Sequence, residues 1–277
     1  MISITAQELA SRLCFHEAVR QQIFAVEFTP AQESAWYELF LHKPEAFVAE
    51  LRKQPMQELL VLALYLRWAV NTYRNYQELG IPESVFFDTF RDLRIWSDEC
   101  VRIYNRPGLT EWDWNAHLLR MEVIRLGRLE YQPCILAHDI LYGDISVSAG
   151  TQILEVHIPA GESLCQKIVL ESFAAAVSFF DRYYHVHYEW FHCHSWLLSP
   201  AFRKLLPPQS GILQFQNLFT VYDEDFSFPQ AEQRVFGCIK DNPEKYPENT
   251  HLQCTLKNYL LSKKRPGMGY GVYHALK

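Results

Sequence analysis

The side chains best equipped for chemistry lie in "YYHVHYEWFHCHSWLLSPAF", residues 183–202, where His185, His187, His192, Cys193 and His194 fall close together. Imidazoles titrate near neutrality, so they serve as general bases, proton relays or metal ligands. In an extended strand His192 and His194 point to one face and Cys193 to the other, while His185 and His187 carry the parity of that second face. The "HCH" triplet therefore offers at most two ligands to one metal. Zinc needs a third, with carboxylates behind it, and the spacing supplies neither, so no metal is expected. The plainer alternative is an aromatic-rich strand whose imidazoles are hydrogen-bonded into its packing.

Two further stretches could hold an anion. In "ILEVHIPAGESLCQK" a strand ending near His157 passes through Ala160-Gly161 into the amino terminus of a helix, where free amides and the helix dipole favour negative charge. Only Gly161 is present where phosphate loops carry several glycines, and every crossover needs a turn of this kind. In "SKKRPGMGYG", residues 262–271, Lys263, Lys264 and Arg265 beside three glycines could clamp phosphate, or could complement a helix carboxyl terminus before a turn. No nucleophile elbow, HExxH or P-loop occurs, which removes the serine-hydrolase, zincin and NTPase readings.

The elements that must position these residues change character near residue 126. Before it the chain reads as helices with capping boxes at Thr5/Glu8 and Thr29/Gln32 and a helix-starting Pro30. Long helices are expected from about Pro55 to Gly80, from Pro82 to about Asn105, and from Thr110 to Gly127. After it, "RLEYQPCIL", "TQILEVHIP", "HYEWFHCHSWLLS" and "GILQFQNLFTVYDED" read as strands. "ESLCQKIVLESFAAAVSFFDRYY" reads as a helix with Leu164, Ile168, Phe173, Val177 and Phe180 near one face. "PAFRKLL" is a short helix, and two helical pieces, about 229–237 and 249–262, precede a glycine-containing tail. The expectation is an all-helical domain, 1–126, followed by a mixed-sheet α+β domain, 127–277.

A chain of 277 residues that is 49% hydrophobic can bury a large core, and its net charge of -6 argues against nucleic acid or anionic membranes as general partners. The seven cysteines are scattered and odd in number, which suits a reducing compartment. "LLVLALYL" is too short to span a bilayer, and the amino terminus lacks a signal-peptide pattern. A cytoplasmic protein acting on a small molecule is expected, with room for a protein partner on the helical domain.

"RLGRLEYQ", "HIPAGESL" leading to "AAVSFF", "FHCHSWLLSP" and "ILQFQNLF" occur in an order that resembles a bacterial acyltransferase-domain family with a helical N-terminal domain and a GNAT-like C-terminal domain. The resemblance covers essentially the whole chain. It implies an acyl-CoA or acetyl-CoA co-substrate whose pantetheine lies between two splayed parallel strands, "ILEVHIP" and "WFHCHSWLL". The pyrophosphate would rest on amides of Ala160, Gly161, Glu162, Ser163 and Leu164. The reaction implied is N-acyl transfer to an amine, with His157 and His194 as base or proton relay and Cys193 as an acyl-accepting candidate. Cys193 has a plainer reading as a small buried hydrophobe. The superfamily's R/Q-x-x-G-x-G/A loop is reduced here to "PAGES", and the tyrosine often used as general acid has no counterpart in "PAFRKLLPP". These departures keep a rival reading open, a non-catalytic module that senses a ligand or binds a protein.

Overall fold

The computed structural model of this chain describes residues 4–275, which fall into two compact units dividing after Arg125. The first contains helices α1 (Ala6–Arg12), α2 (Glu17–Phe24), α3 (Pro30–His42), α4 (Pro44–Leu51), α5 (Gln57–Glu78), α6 (Glu83–Tyr104) and α7 (Trp112–Leu119). Both capping boxes form: Thr5 accepts from the Glu8 amide while Glu8 accepts from the Thr5 amide, and Thr29 and Gln32 do the same. Helix α5 is the hub, because every residue from Leu59 to Leu66 is buried, so it needs neighbours on all sides. The Tyr65 hydroxyl donates to the Trp112 carbonyl (3.1 Å) and Thr72 to that of Leu119 (3.0 Å), which anchors α7 on α5. Among the described residues no helix is long and apolar enough to cross a membrane.

The third long helix is shorter than its sequence suggests. It stops at Leu119, Met121 takes a left-handed φ of 58°, and Ile124–Leu126 becomes strand β1. Residues 123–126 are buried without interruption, a demand that a strand inside a core meets and an amphipathic helix does not.

The chain continues through β2 (Leu129–Ile135), β3 (Ile140–Tyr142), β4 (Ile145–Val147), β5 (Gln152–His157), α8 (Gln166–Tyr184), β6 (Trp190–Ser195), α9 (Phe202–Leu205), α10 (Gly211–Gln216), β7 (Thr220–Asp225), α11 (Gln230–Phe236), α12 (His251–Leu261) and β8 (Met268–His274). A six-stranded sheet has the order β1-β2-β5-β6-β8-β7. The β2–β5, β6–β8 and β7–β8 pairs are antiparallel, and β5–β6 is parallel, joined by the crossover helix α8. The fold is thus a helical region followed by a mixed-sheet α+β region.

Helix α8 covers one face of the sheet, where Phe173 meets the rings of Tyr131, Phe191, Phe219 and Tyr273. Its buried positions are Val169, Ser172, Phe173, Ala176, Phe179 and Phe180, so the apolar stripe is rotated from the expected one and Ile168 is 40% exposed. The other face carries the β3–β4 hairpin, whose Ile140, Ile145 and Val147 pack on Val272 with Trp190 and Tyr222 alongside. That hairpin turns at Gly143-Asp144, a two-residue signal readable in the sequence but absent from the strands assigned there.

The "GILQFQNLF" segment is a correction. It forms helix α10, with the Ser210 hydroxyl accepting from the Leu213 amide, and the strand begins only at Thr220. Its apolar residues, 212, 213, 215, 218 and 219, suit helical spacing as well as they suit an irregular strand, and burial of Leu213 and Phe215 decides for the helix.

The tail supplies β8, inserted between β6 and β7. Its glycines serve close packing: a Cβ on Gly269 would run into the Leu198 backbone, and one on Gly271 would lie 2.8 Å from Leu198 Cδ1 and 3.1 Å from Phe219 Cβ. Gly269→Ala is therefore expected to lower the unfolding free energy by about 1–3 kcal/mol through overpacking. Urea unfolding checks this, and an unchanged midpoint would show that the contact has slack.

Candidate active site

Strands β5 and β6 are paired at two positions only, Leu154 with Phe191 and Glu155 with His192. Each is paired over its full length on its outer side, β5 with β2 and β6 with β8. Beyond Glu155 and His192, in the direction both strands run, the ladder ends and the chains part. The local sequence explains both departures. Pro159 follows β5 and cannot donate to a ladder, and His157 lies against β2 with its Nε2 3.2 Å from Gln132 Oε1. On the other side Ser195 accepts from the Leu197 amide and starts a 3₁₀ turn, Trp196–Leu198, which draws the end of β6 onto the glycines of β8.

The face opposite α8 gathers the polar groups at this opening. Gln132 pairs across from Glu155, and His157, His192 and His194 share their side of the sheet. His192 is held at both nitrogens, with Nδ1 2.5 Å from Glu155 Oε2 and Nε2 2.9 Å from the Tyr222 hydroxyl. His194 stacks on Tyr270 with ring centroids 3.8 Å apart and planes within 5°. Its Nε2 lies 3.7 Å from Asp225 and has no hydrogen-bond partner among the described residues. Burial holds the His194 pKa below its ordinary 6.5, against the opposing pull of Asp225 and Glu155, which favours the neutral ring, and Nε2 is itself buried.

Cys193 points the other way. It is fully buried on the α8 side, and burial raises its thiol pKa well above the ordinary range, which leaves it protonated and inert. His185 caps the end of α8 in a left-handed conformation, and His187 lies 3.9 Å from Asp181. Among the described residues no group of three or more His, Cys, Asp or Glu side chains is arranged to hold a metal.

The turn from β5 to α8 contains Ala160, Gly161, Glu162, Ser163 and Leu164. Gly161 has φ +108°, and a Cβ there would meet nothing within 4 Å, so the turn is open on that side. The buried Arg128 guanidinium donates to the carbonyls of Glu162 (2.9 Å) and Ser163 (3.1 Å). In a trans peptide the N–H points opposite to the C=O, so the amides of Ser163 and Leu164 are directed away from Arg128. The Gln166 amide is already capped by Gln214 Oε1 at 3.1 Å. The second basic stretch has a structural use instead, since Arg265 Nε lies 2.6 Å from the buried carboxylate of Glu232.

Sequence reasoning missed Glu155, Tyr222, Asp225 and Tyr270. Glu155 left a signal, as the lone acid of "ILEVHIP" two residues before His157. Tyr222 left none, because its partner His192 lies 30 residues away and the two strands are brought together only by β8 between them.

The parallel β5–β6 pair ends beside three imidazoles and is followed by the turn into α8. Residues 123–273 match the GNAT-like C-terminal domain and residues 4–121 match the N-acyltransferase N-terminal domain, so the chain belongs to the GNAT-like acyltransferase family. Crystal structures of similar fold include an acyltransferase in complex with decanoyl-CoA and teicoplanin (23% identity, TM-score 0.80, 98% of this chain and 87% of that one). An acyltransferase in complex with CoA and 10C-teicoplanin superposes with TM-score 0.79 at 23% identity and the same coverage. A mutant acyltransferase in complex with octanoyl-CoA gives 0.78 at 23% identity, over 97% of this chain and 87% of that one. None of the curated proteins matches the chain.

A lowered His194 pKa means that the folded protein binds this proton less readily than the unfolded chain. The stability it contributes is present above about pH 6.5 and is lost as pH falls through the folded value. In an NMR titration the His194 midpoint is expected below 6.5, and lower still in Asp225→Asn, which removes the charge that raises it. A wild-type midpoint at or above 6.5 would contradict the assignment.

Proposed function

We propose that this protein transfers an acyl group from an acyl-CoA to an amine, with residues 1–126 as a helical domain and 127–277 as the transferase domain. The observation that carries the reading is the parting of β5 and β6 immediately before an amide-rich turn into α8. The pantetheine would thread the opening, and the pyrophosphate would sit on amides of Ala160, Gly161, Glu162, Ser163 and Leu164, where oriented N–H groups and the helix dipole favour negative charge. The acyltransferases of similar fold bind decanoyl- and octanoyl-CoA, so medium-chain thioesters are the donors to test first.

The reaction needs little beyond orientation, proton transfer and a polar setting for the tetrahedral oxyanion. Substrate amines arrive as ammonium ions. His194, whose burial favours the neutral imidazole, is the base that releases the nucleophilic lone pair once bound substrate uncovers the ring, and His157 on β5 is a relay toward water. Cys193 takes no part, because its buried, protonated thiol cannot reach a thioester on the other face.

Two experiments test the reading. Calorimetry with CoA should show binding that weakens at least tenfold in Gly161→Val, since a β-branched residue disfavours φ +108° and re-aims the turn. Equal affinity would place the pyrophosphate elsewhere. With decanoyl-CoA and a panel of primary amines, thiol release should fall by about 10²-fold or more in His194→Ala while CoA affinity holds. Binding without turnover of any acyl-CoA would favour a ligand-sensing module.

A further inference from the structure

Glu155, His192 and Tyr222 form a continuous hydrogen-bonded chain that the steps above leave unused. A carboxylate only accepts, so the 2.5 Å contact from Glu155 fixes the hydrogen of neutral His192 on Nδ1. With the ring neutral, its Nε2 carries a lone pair and the Tyr222 hydroxyl donates the 2.9 Å contact. The phenol oxygen then keeps lone pairs with which it can accept a proton. Burial, reinforced by the charge of Glu155, raises the Tyr222 pKa to about 12, so the hydroxyl keeps a proton to pass on at neutral pH.

Exposure divides the work. His192 is buried while Tyr222, packed beside the β3–β4 hairpin, is half-buried, so the tyrosine is the more accessible member of the pair. Tyr222 lies two residues after Thr220, which pairs with Val272 as His192 does, so ordinary alternation puts it on the His192 face, and the bulge brings Asp223 to that face as well.

We infer that Tyr222 is a catalytic residue, accepting the second amine proton on its oxygen while its own passes to His192, with Glu155 as the positioning residue that sets the His192 tautomer. The inference rests on the acyl-transfer reading. After His194 has taken the ammonium proton, the amine attacks the thioester carbonyl and the new C–N bond leaves nitrogen with one proton too many. That proton goes to the Tyr222 oxygen, the phenol proton moves to His192 Nε2, and the resulting imidazolium is stabilised beside Glu155. The C–S bond breaks, and the chain runs backward to protonate the departing thiolate. Amide and free CoA thiol leave with Tyr222, His192 and Glu155 restored, and the ammonium proton is lost to water through His194.

Nitrogen-15 NMR of histidine-labelled protein, combined with steady-state kinetics on decanoyl-CoA and an active amine, tests this. Wild type should show His192 as the Nδ1–H tautomer, and an Nε2–H tautomer would overturn the relay whatever the kinetics. Tyr222→Phe should lower kcat by about 10²-fold with KM for the thioester unchanged. Glu155→Gln should lower kcat and weaken the tautomer preference, and Glu155→Asp should recover part of both. A wild-type enzyme that transfers acyl groups beside an equally active Tyr222→Phe would overturn the relay and leave acyl transfer standing. A wild type that binds decanoyl-CoA and releases no thiol with any amine would overturn both. Should Tyr222→Phe fail to fold, the wild-type tautomer decides.

Discussion

The constraint on which this site depends is the two-residue ladder between β5 and β6. Strands in a sheet ordinarily pair along their length, because each unmade backbone bond leaves a donor and an acceptor in need of partners. Here β5 is committed to β2 and β6 to β8, and the two inner edges separate after Glu155 and His192. The separation has local causes on both sides: a proline after β5, and a Ser195-capped turn seated on the glycines of β8. The same two strands present Glu155, His157, His192 and His194 toward one face, so the opening and the titratable groups arise from one arrangement of backbone.

The two faces of β6 show how a period of two divides labour. Phe191 and Cys193 join the aromatic core under α8, where Phe173 stacks on Tyr273 with centroids 4.5 Å apart. His192 and His194 face the hairpin side, in contact with Glu155, Tyr222, Asp225 and Tyr270. Burial acts in opposite chemical senses on the two sides. It pushes the Cys193 thiol toward its protonated form, whereas it favours the neutral form of His194. A one-residue slip of this strand would exchange these roles and lose both core and site.

Much of this was legible in the sequence, for reasons that can be named. Capping boxes, the long helices α5 and α6, and the alternation of "FHCHS" depend on local chemistry and short periods, and each appears as expected. The errors fall where tertiary contacts overrule local pattern. Residues 124–126 leave a helical reading because they are buried on every side, and "GILQFQ" coils because Leu213 and Phe215 must face a core. The three glycines after Arg265 suggest a phosphate clamp until their neighbours are seen: Glu224 and Asp225 against Gly267, the Leu198 backbone against Gly269, and the Leu198 and Phe219 side chains against Gly271. Tyr222 was invisible because its contact with His192 spans 30 residues and depends on β8 lying between β6 and β7.

The central claim is that an acyl-CoA occupies the gap between β5 and β6. A crystal structure of the protein with a non-hydrolysable decanoyl-CoA analogue tests it most directly. The account predicts pantetheine density between residues 156–157 and 193–194, with the pyrophosphate on amides in 160–164 and the carbonyl carbon on the face of His194 and Tyr222. A ligand bound elsewhere, or β5 and β6 closed into a full ladder with the analogue present, would contradict it.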